Sequence, residues 1–157
     1  MERRDFVKTG LAGITASLVT TGALAAAQQH DHGQQPVSMP QPDPALQKVA
    51  ETAHDCVLVA TACVAECNRA LAAGDAAMAD CQQAVLSMVS VCEATAANAS
   101  MRLAPEELLR GLVKVCDEFC DYCADACEPH ADHYPECKRC MESCRDCAEA
   151  CKAYLQA

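Results

Sequence analysis

The sequence predicts an all-α chain, an antiparallel up-down-up-down four-helix bundle with a cysteine-lined core. Three observations predict it. The fourteen cysteines recur at helical spacing. Beyond Asp43, Gly74, Pro105, Pro129 and Pro135 stand where four helical periods begin or end. No stretch alternates with the period of two that a strand requires. Short connections make consecutive helices antiparallel neighbours, which is the simplest way to close such a bundle.

Residues 1–27 read as a cleaved export signal. Glu2-Arg3-Arg4-Asp5-Phe6-Val7-Lys8 resembles the twin-arginine motif, an apolar run follows from Thr9 to Ala27, and Ala23-Leu24-Ala25 and Ala25-Ala26-Ala27 supply small residues for cleavage. A membrane-anchoring helix is the alternative, but the run is rich in Gly, Ala and Thr and short for a span. Periplasmic or extracellular localisation follows from the signal, with no membrane contact after cleavage. Residues 28–43 lack an apolar period and read as a flexible tail. Cleavage after Ala27 would expose Gln28-Gln29-His30, whose amine, amides and imidazole suit Cu(II) or Ni(II), although incidental histidines in a tail are the plainer reading.

Residues 44–157 form the bundle domain. Asp43-Pro44 offers an N-cap with proline at the first helical position; helix 1 runs to about Ala73, where Gly74 closes it and Asp75 caps helix 2. Helix 2 reaches about Ala99. Pro105-Glu106-Glu107 opens helix 3, which stops near Glu128-Pro129, and Tyr134-Pro135-Glu136 opens helix 4.

Each helix carries one thiol face. At about 100° per residue, Cys116, Cys120, Cys123 and Cys127 fall within roughly 60°, and Cys137, Cys140, Cys144, Cys147 and Cys151 within roughly 80°. Cys56, Cys63 and Cys67 span roughly 40°, and Cys81 and Cys92 roughly 20°, with Val85, Met88 and Ala96 near their line. Acidic and basic residues, among them Asp117, Asp121, Lys138 and Arg145, fill the remaining arc, so sulfur faces inward where a bundle normally places leucine. Aromatic residues are scarce, and Phe119 is the only Phe after the signal. The formal charge of −10 becomes −11 once residues 1–25 are removed, which repels phosphate backbones and excludes nucleic acid as a partner.

Five pairs have C-x-x-x-C spacing: Cys63/Cys67, Cys116/Cys120, Cys123/Cys127, Cys140/Cys144 and Cys147/Cys151. Residues at i and i+4 lie one turn apart on one face, so two thiolates can reach one ion. Soft thiolates in excess select Cu(I), zinc or iron–sulfur clusters. Zinc wants closed tetrahedra and would leave the ladder poorly used, while iron–sulfur clusters typically draw cysteines from loops. Multiple Cu(I) ions per chain fit best.

The twin-arginine signal, the four-helix pattern, the run ECKRCMESCRDCAEAC and the stretch HDCVLVATACVAEC resemble the exported copper storage proteins of the cysteine-rich four-helix-bundle family. The resemblance covers nearly the whole mature chain. It implies storage of many Cu(I) ions in a thiolate core, all fourteen cysteines as candidate ligands, C-x-x-x-C pairs as recurrent ligands, and tetrameric association. A copper-requiring enzyme or a copper chaperone would then be donor or recipient. One departure is that Ala70 and Ala73 occupy the helix 1 end where family members can carry methionines, leaving Met78 nearby.

Other readings compete. A copper chaperone or detoxification protein would bind few ions. A disulfide-stapled scaffold is the usual fate of exported cysteines, but mid-helix i,i+4 neighbours are poorly directed for an S–S bond. A thiol oxidoreductase could use Cys120/Cys123, Cys137/Cys140 or Cys144/Cys147, yet would need one exposed pair at a helix start, so no enzyme is expected. His54 lies about 160° from the thiol line and belongs to the outer face. Met88 reads as a core filler rather than a ligand. Leu86, Leu109 and Val113 are outward candidates for a homo-oligomer interface. Met78, His130 and His133 stand at the cysteine-rich end as candidates for metal uptake, and Leu46, Val49, Leu108, Leu112 and Leu155 plug the opposite end.

Overall fold

The computed structural model describes residues 43–157. The export signal, the tail up to residue 42 and its Gln28-Gln29-His30 site lie outside the described residues. Helices α1 (Pro44–Ala72), α2 (Met78–Met101), α3 (Glu106–Cys127) and α4 (Pro135–Gln156) follow in order, with a single 3-10 turn at Glu128–His130 and no strand among the described residues. α1 packs on α2 and α4, and α3 packs on the same two helices from the other side, giving the antiparallel square that the short connections require.

The helix ends follow from local chemistry. Asp43 is extended, and its carboxylate accepts from the Ala45 N–H at 2.9 Å while Pro44 starts α1 with its φ already fixed. Gly74 adopts φ +95°; its N–H bonds to the Leu71 carbonyl, and the Asp75 N–H reaches back to Ala70, both at 3.0 Å. This paired closure satisfies carbonyls that α1 would otherwise leave bare. The N-cap of α2 is Ala77 and not the expected Asp75, whose carboxylate instead accepts from the Ala77 N–H at 3.2 Å in the turn that leads into Met78. α2 runs two residues past the expected Ala99 and ends on Arg102, which takes the left-handed conformation (φ 53°) usually left to glycine. Glu106 and Glu107 lie in the first turn of α3, where carboxylates complement the exposed N–H groups.

All fourteen cysteines are buried, none more than 1% exposed. Beside them lie small residues, including Ala53, Ala60, Ala84, Ala124 and Ala148, which let the helices approach closely enough for sulfur to meet sulfur. Cysteine packs as a small hydrophobe, so the core excludes water with Tyr154 as its one buried aromatic residue among the described residues. The buried hydroxyls of Thr52 and Thr95 bond to carbonyls of their own helices, Lys48 at 2.9 Å and Val91 at 2.8 Å, and therefore cost little. Among the described residues, α2 alone is long and apolar enough to cross a membrane, but its Cys81–Val85–Met88–Cys92 face forms one wall of the core.

The end formed by the beginnings of α1 and α3 and the ends of α2 and α4 is largely apolar, as expected, but α4 buries Tyr154, with the Arg110 guanidinium over its ring, more deeply than Leu155, and α3 contributes different residues. Leu109 and Val113 are 5% and 0% exposed, whereas Leu108 is 68% exposed and Leu112 only half-buried. The reason is phase. Counting back from Cys116 in alternating steps of three and four reaches Val113 and Leu109, so these continue the thiol stripe and Leu108 falls beside it. Leu109 and Val113 therefore cannot serve an outward interface; of the three residues expected there, only Leu86 is exposed, at 54%.

Candidate metal centre

The inward stripes of the four helices bring the sulfurs together across the bundle. Contacts join Cys67 to Cys81 (3.8 Å), Cys81 to Cys127 (3.5 Å), Cys63 to Cys137 (3.9 Å), Cys123 to Cys140 (3.9 Å), Cys92 to Cys120 (3.6 Å), Cys92 to Cys116 (3.8 Å) and Cys116 to Cys147 (3.9 Å). Every one of these pairs links two different helices. All fourteen are free thiols.

Five groups have every sulfur within 4.8 Å of the others: Cys56/Cys92/Cys120/Cys147, Cys63/Cys67/Cys81/Cys137, Cys63/Cys127/Cys140, Cys116/Cys147/Cys151 and Cys123/Cys140/Cys144. Together they include all fourteen cysteines, and Cys63, Cys140 and Cys147 each belong to two groups, so the sulfurs form a connected column. Cys144 also neighbours Cys56 and Cys120, which joins the two halves of that column. The C-x-x-x-C spacing accounts for part of this. Cys63/Cys67, Cys140/Cys144 and Cys147/Cys151 each share a group, whereas Cys116/Cys120 and Cys123/Cys127 are divided between groups.

Packed thiols must act as donors or acceptors to one another, and this splits their acidities. Cys116, accepting from Cys120, is lowered to about 5, while Cys120 is raised as its partner. S–H donors, Cys120 foremost for Cys56 and Cys123 foremost for Cys140, also hold those thiols below the usual range. Burial, reinforced by the neighbouring Cys81 charge, pushes Cys67 up to about 12. The column thus interleaves sulfurs ready to lose a proton with sulfurs that keep one.

The residues proposed for uptake are differently placed. Met78, the first residue of α2, is fully buried; His130 is half-buried and His133 exposed in the α3–α4 connection. The Tyr134 hydroxyl donates to the Asp75 carboxylate at 3.2 Å, tying that connection to the α1–α2 turn across the cysteine-rich end. His54 is exposed, as its angle from the thiol line requires, and Met88 is fully buried in the core. Sequence reasoning missed Ser143. Its hydroxyl donates to Cys56 Sγ at 3.5 Å and its carbonyl accepts from that thiol at 3.2 Å. The signal was its position three residues after Cys140, at the border of the α4 stripe.

A family model described as copper storage protein matches residues 43–156, the whole bundle. The chain belongs to the copper storage protein family. Solved structures of that kind share the fold. A cytosolic copper storage protein from Streptomyces lividans, described with five coppers, is 29% identical, with 72% of this chain and 93% of that chain covered at a TM-score of 0.67. The copper storage protein Ccsp of the same organism, loaded with 10 copper equivalents, is 28% identical, with 78% and 93% covered at a TM-score of 0.69. No curated protein sequence matches the chain. The family stores copper, and the expected Cu(I) cargo agrees with it.

Proposed function

We propose that the chain stores many Cu(I) ions per bundle on all fourteen inward cysteines, in a compartment outside the cytoplasm. One observation carries this: the fourteen buried sulfurs form a connected column of free thiols. Charge explains why connection matters. A Cu(I) held by two unshared thiolates has a net charge of −1, and many such charges in a dry core are costly. Thiolates that bridge two ions bring the ratio towards one copper per sulfur and the core towards neutrality. Shared sulfurs such as Cys63, Cys140 and Cys147 are placed for bridging. Anaerobic titration with Cu(I) against a competing chelator tests the reading. On this reading the chain is a store, as its family is, and not an enzyme.

Export rests on Arg3-Arg4 and the apolar run behind them. The Streptomyces relative is described as cytosolic, so the two differ in compartment on this reading. Copper enters at the end where the α1–α2 turn meets the α3–α4 connection, with His130 and His133 as outer contacts and the buried Met78 thioether as the first inner one. A copper chaperone or a copper-requiring enzyme would exchange the ion there. Bundles associate as homo-oligomers, a tetramer by resemblance.

A further inference from the structure

We propose that the copper-free chain is also a two-site receptor for divalent ions that favour a sulfur tetrahedron, zinc or cadmium. Two of the five groups contain four sulfurs, Cys56/Cys92/Cys120/Cys147 and Cys63/Cys67/Cys81/Cys137, and they have no cysteine in common. The first takes one ligand from each helix. A tetrahedral zinc with Zn–S near 2.3 Å needs sulfur–sulfur edges of about 3.8 Å. Cys92–Cys120 (3.6 Å), Cys67–Cys81 (3.8 Å) and Cys63–Cys137 (3.9 Å) already stand close to that edge, and the remaining ones lie within 4.8 Å. Each three-sulfur group lacks a fourth ligand, and those containing Cys63 or Cys147 compete with a four-sulfur group for that residue. The column thus accepts many linear or trigonal Cu(I) ions but closes only two tetrahedra.

Binding converts M²⁺ and four thiols into M(SR)₄²⁻ and four protons, with no change of oxidation state. A buried double charge needs donors around it. The first site has one in the Ser143 hydroxyl, 3.5 Å from Cys56 Sγ. At the second, Cys127 lies 3.5 Å from Cys81. Occupied in this way, an empty store keeps eight thiolates coordinated and its helices pinned until Cu(I) displaces the ion.

The test is anaerobic titration of the reduced, copper-free chain with Cd(II), following cadmium–thiolate charge-transfer absorption and cadmium NMR. Absorption should rise linearly and break at two ions per chain with all-sulfur coordination. Cys92→Ala should remove one ion and Cys67→Ala the other. Cys92→Val, which refills the space that the sulfur leaves, controls for packing, and circular dichroism of each variant reports its fold. A break at one ion, a rise continuing beyond two, or coordination by oxygen overturns the proposal. A parallel Cu(I) titration separates it from the storage reading. High copper capacity with a failed cadmium break rejects the two-site inference alone, and a clean cadmium break with low copper capacity rejects storage alone.

Discussion

The sulfurs of Cys81 on α2 and Cys127 at the last turn of α3 lie 3.5 Å apart, in direct contact across the bundle. The hydrogen bond between them holds the Cys81 thiol below its usual pKa, while hydrogen bonds to neighbouring sulfurs, Cys123 foremost, push the pKa of Cys127 up.

Stability of the reduced apo-protein should therefore fall in alkali. Unfolded thiols ionise near about 8.5. Cys67 keeps its proton to about 12, and Cys127 is also raised, so above pH 8.5 the folded state binds more protons than the unfolded one. The contribution of such raised groups is complete below the unfolded value and is lost as pH climbs towards the folded one. Lowered groups such as Cys81 and Cys116 act in the opposite sense, but below about 8.5, where their contribution fades as pH falls. The urea midpoint of reduced, metal-free protein should be lower at about pH 10.5 than at about pH 8. Equal midpoints would contradict the donor–acceptor column.

The hydrocarbon end gives a second prediction. Leu109→Ala should cost about 2–4 kcal/mol of apo stability, because the side chain is 5% exposed and its removal leaves a cavity. Leu108→Ala, at 68% exposure, should change stability by less than about 0.5 kcal/mol. Denaturant unfolding of the two variants decides between the phases, and a larger loss from Leu108→Ala would reverse them. Neither change should alter copper capacity.

Much of this was legible in the sequence because cysteine marks its own helix face. Every stripe that contains several cysteines pointed inward as read, and the caps at Asp43, Pro44 and Gly74 fixed the ends of α1. The error at Leu109 and Val113 arose because the stripe was not carried back from Cys116 into the cysteine-free first turns of α3, where steps of three and four reach both residues. Which sulfurs meet was less legible. Spacing within a helix identifies i,i+4 pairs, but the short contacts join different helices and depend on axial offset, which the turn at Gly74 and the 3-10 segment after Cys127 set. Tyr134–Asp75 and Ser143–Cys56 were hidden for the same reason.

Uptake should slow in the triple variant Met78→Leu, His130→Ala and His133→Ala. Stopped-flow loading and removal by chelator should both slow, with final capacity nearly unchanged. Unaltered rates there, combined with altered rates when Leu109 and Val113 are made small, would move the mouth to the opposite end.

Export should fail when Arg3 and Arg4 are both replaced by lysine, leaving the chain in the cytoplasmic fraction with its first 27 residues attached. Fractionation and intact mass measure both, and mature protein outside the cytoplasm in that variant would contradict the twin-arginine route.

The most direct measurement of the storage account is anaerobic titration of the fully reduced chain with Cu(I) against a competing chelator. Bridging thiolates predict that copper is withheld from the chelator until capacity approaches the fourteen cysteines. Saturation at about one to four ions, the range of a chaperone or a dedicated closed site, would contradict it.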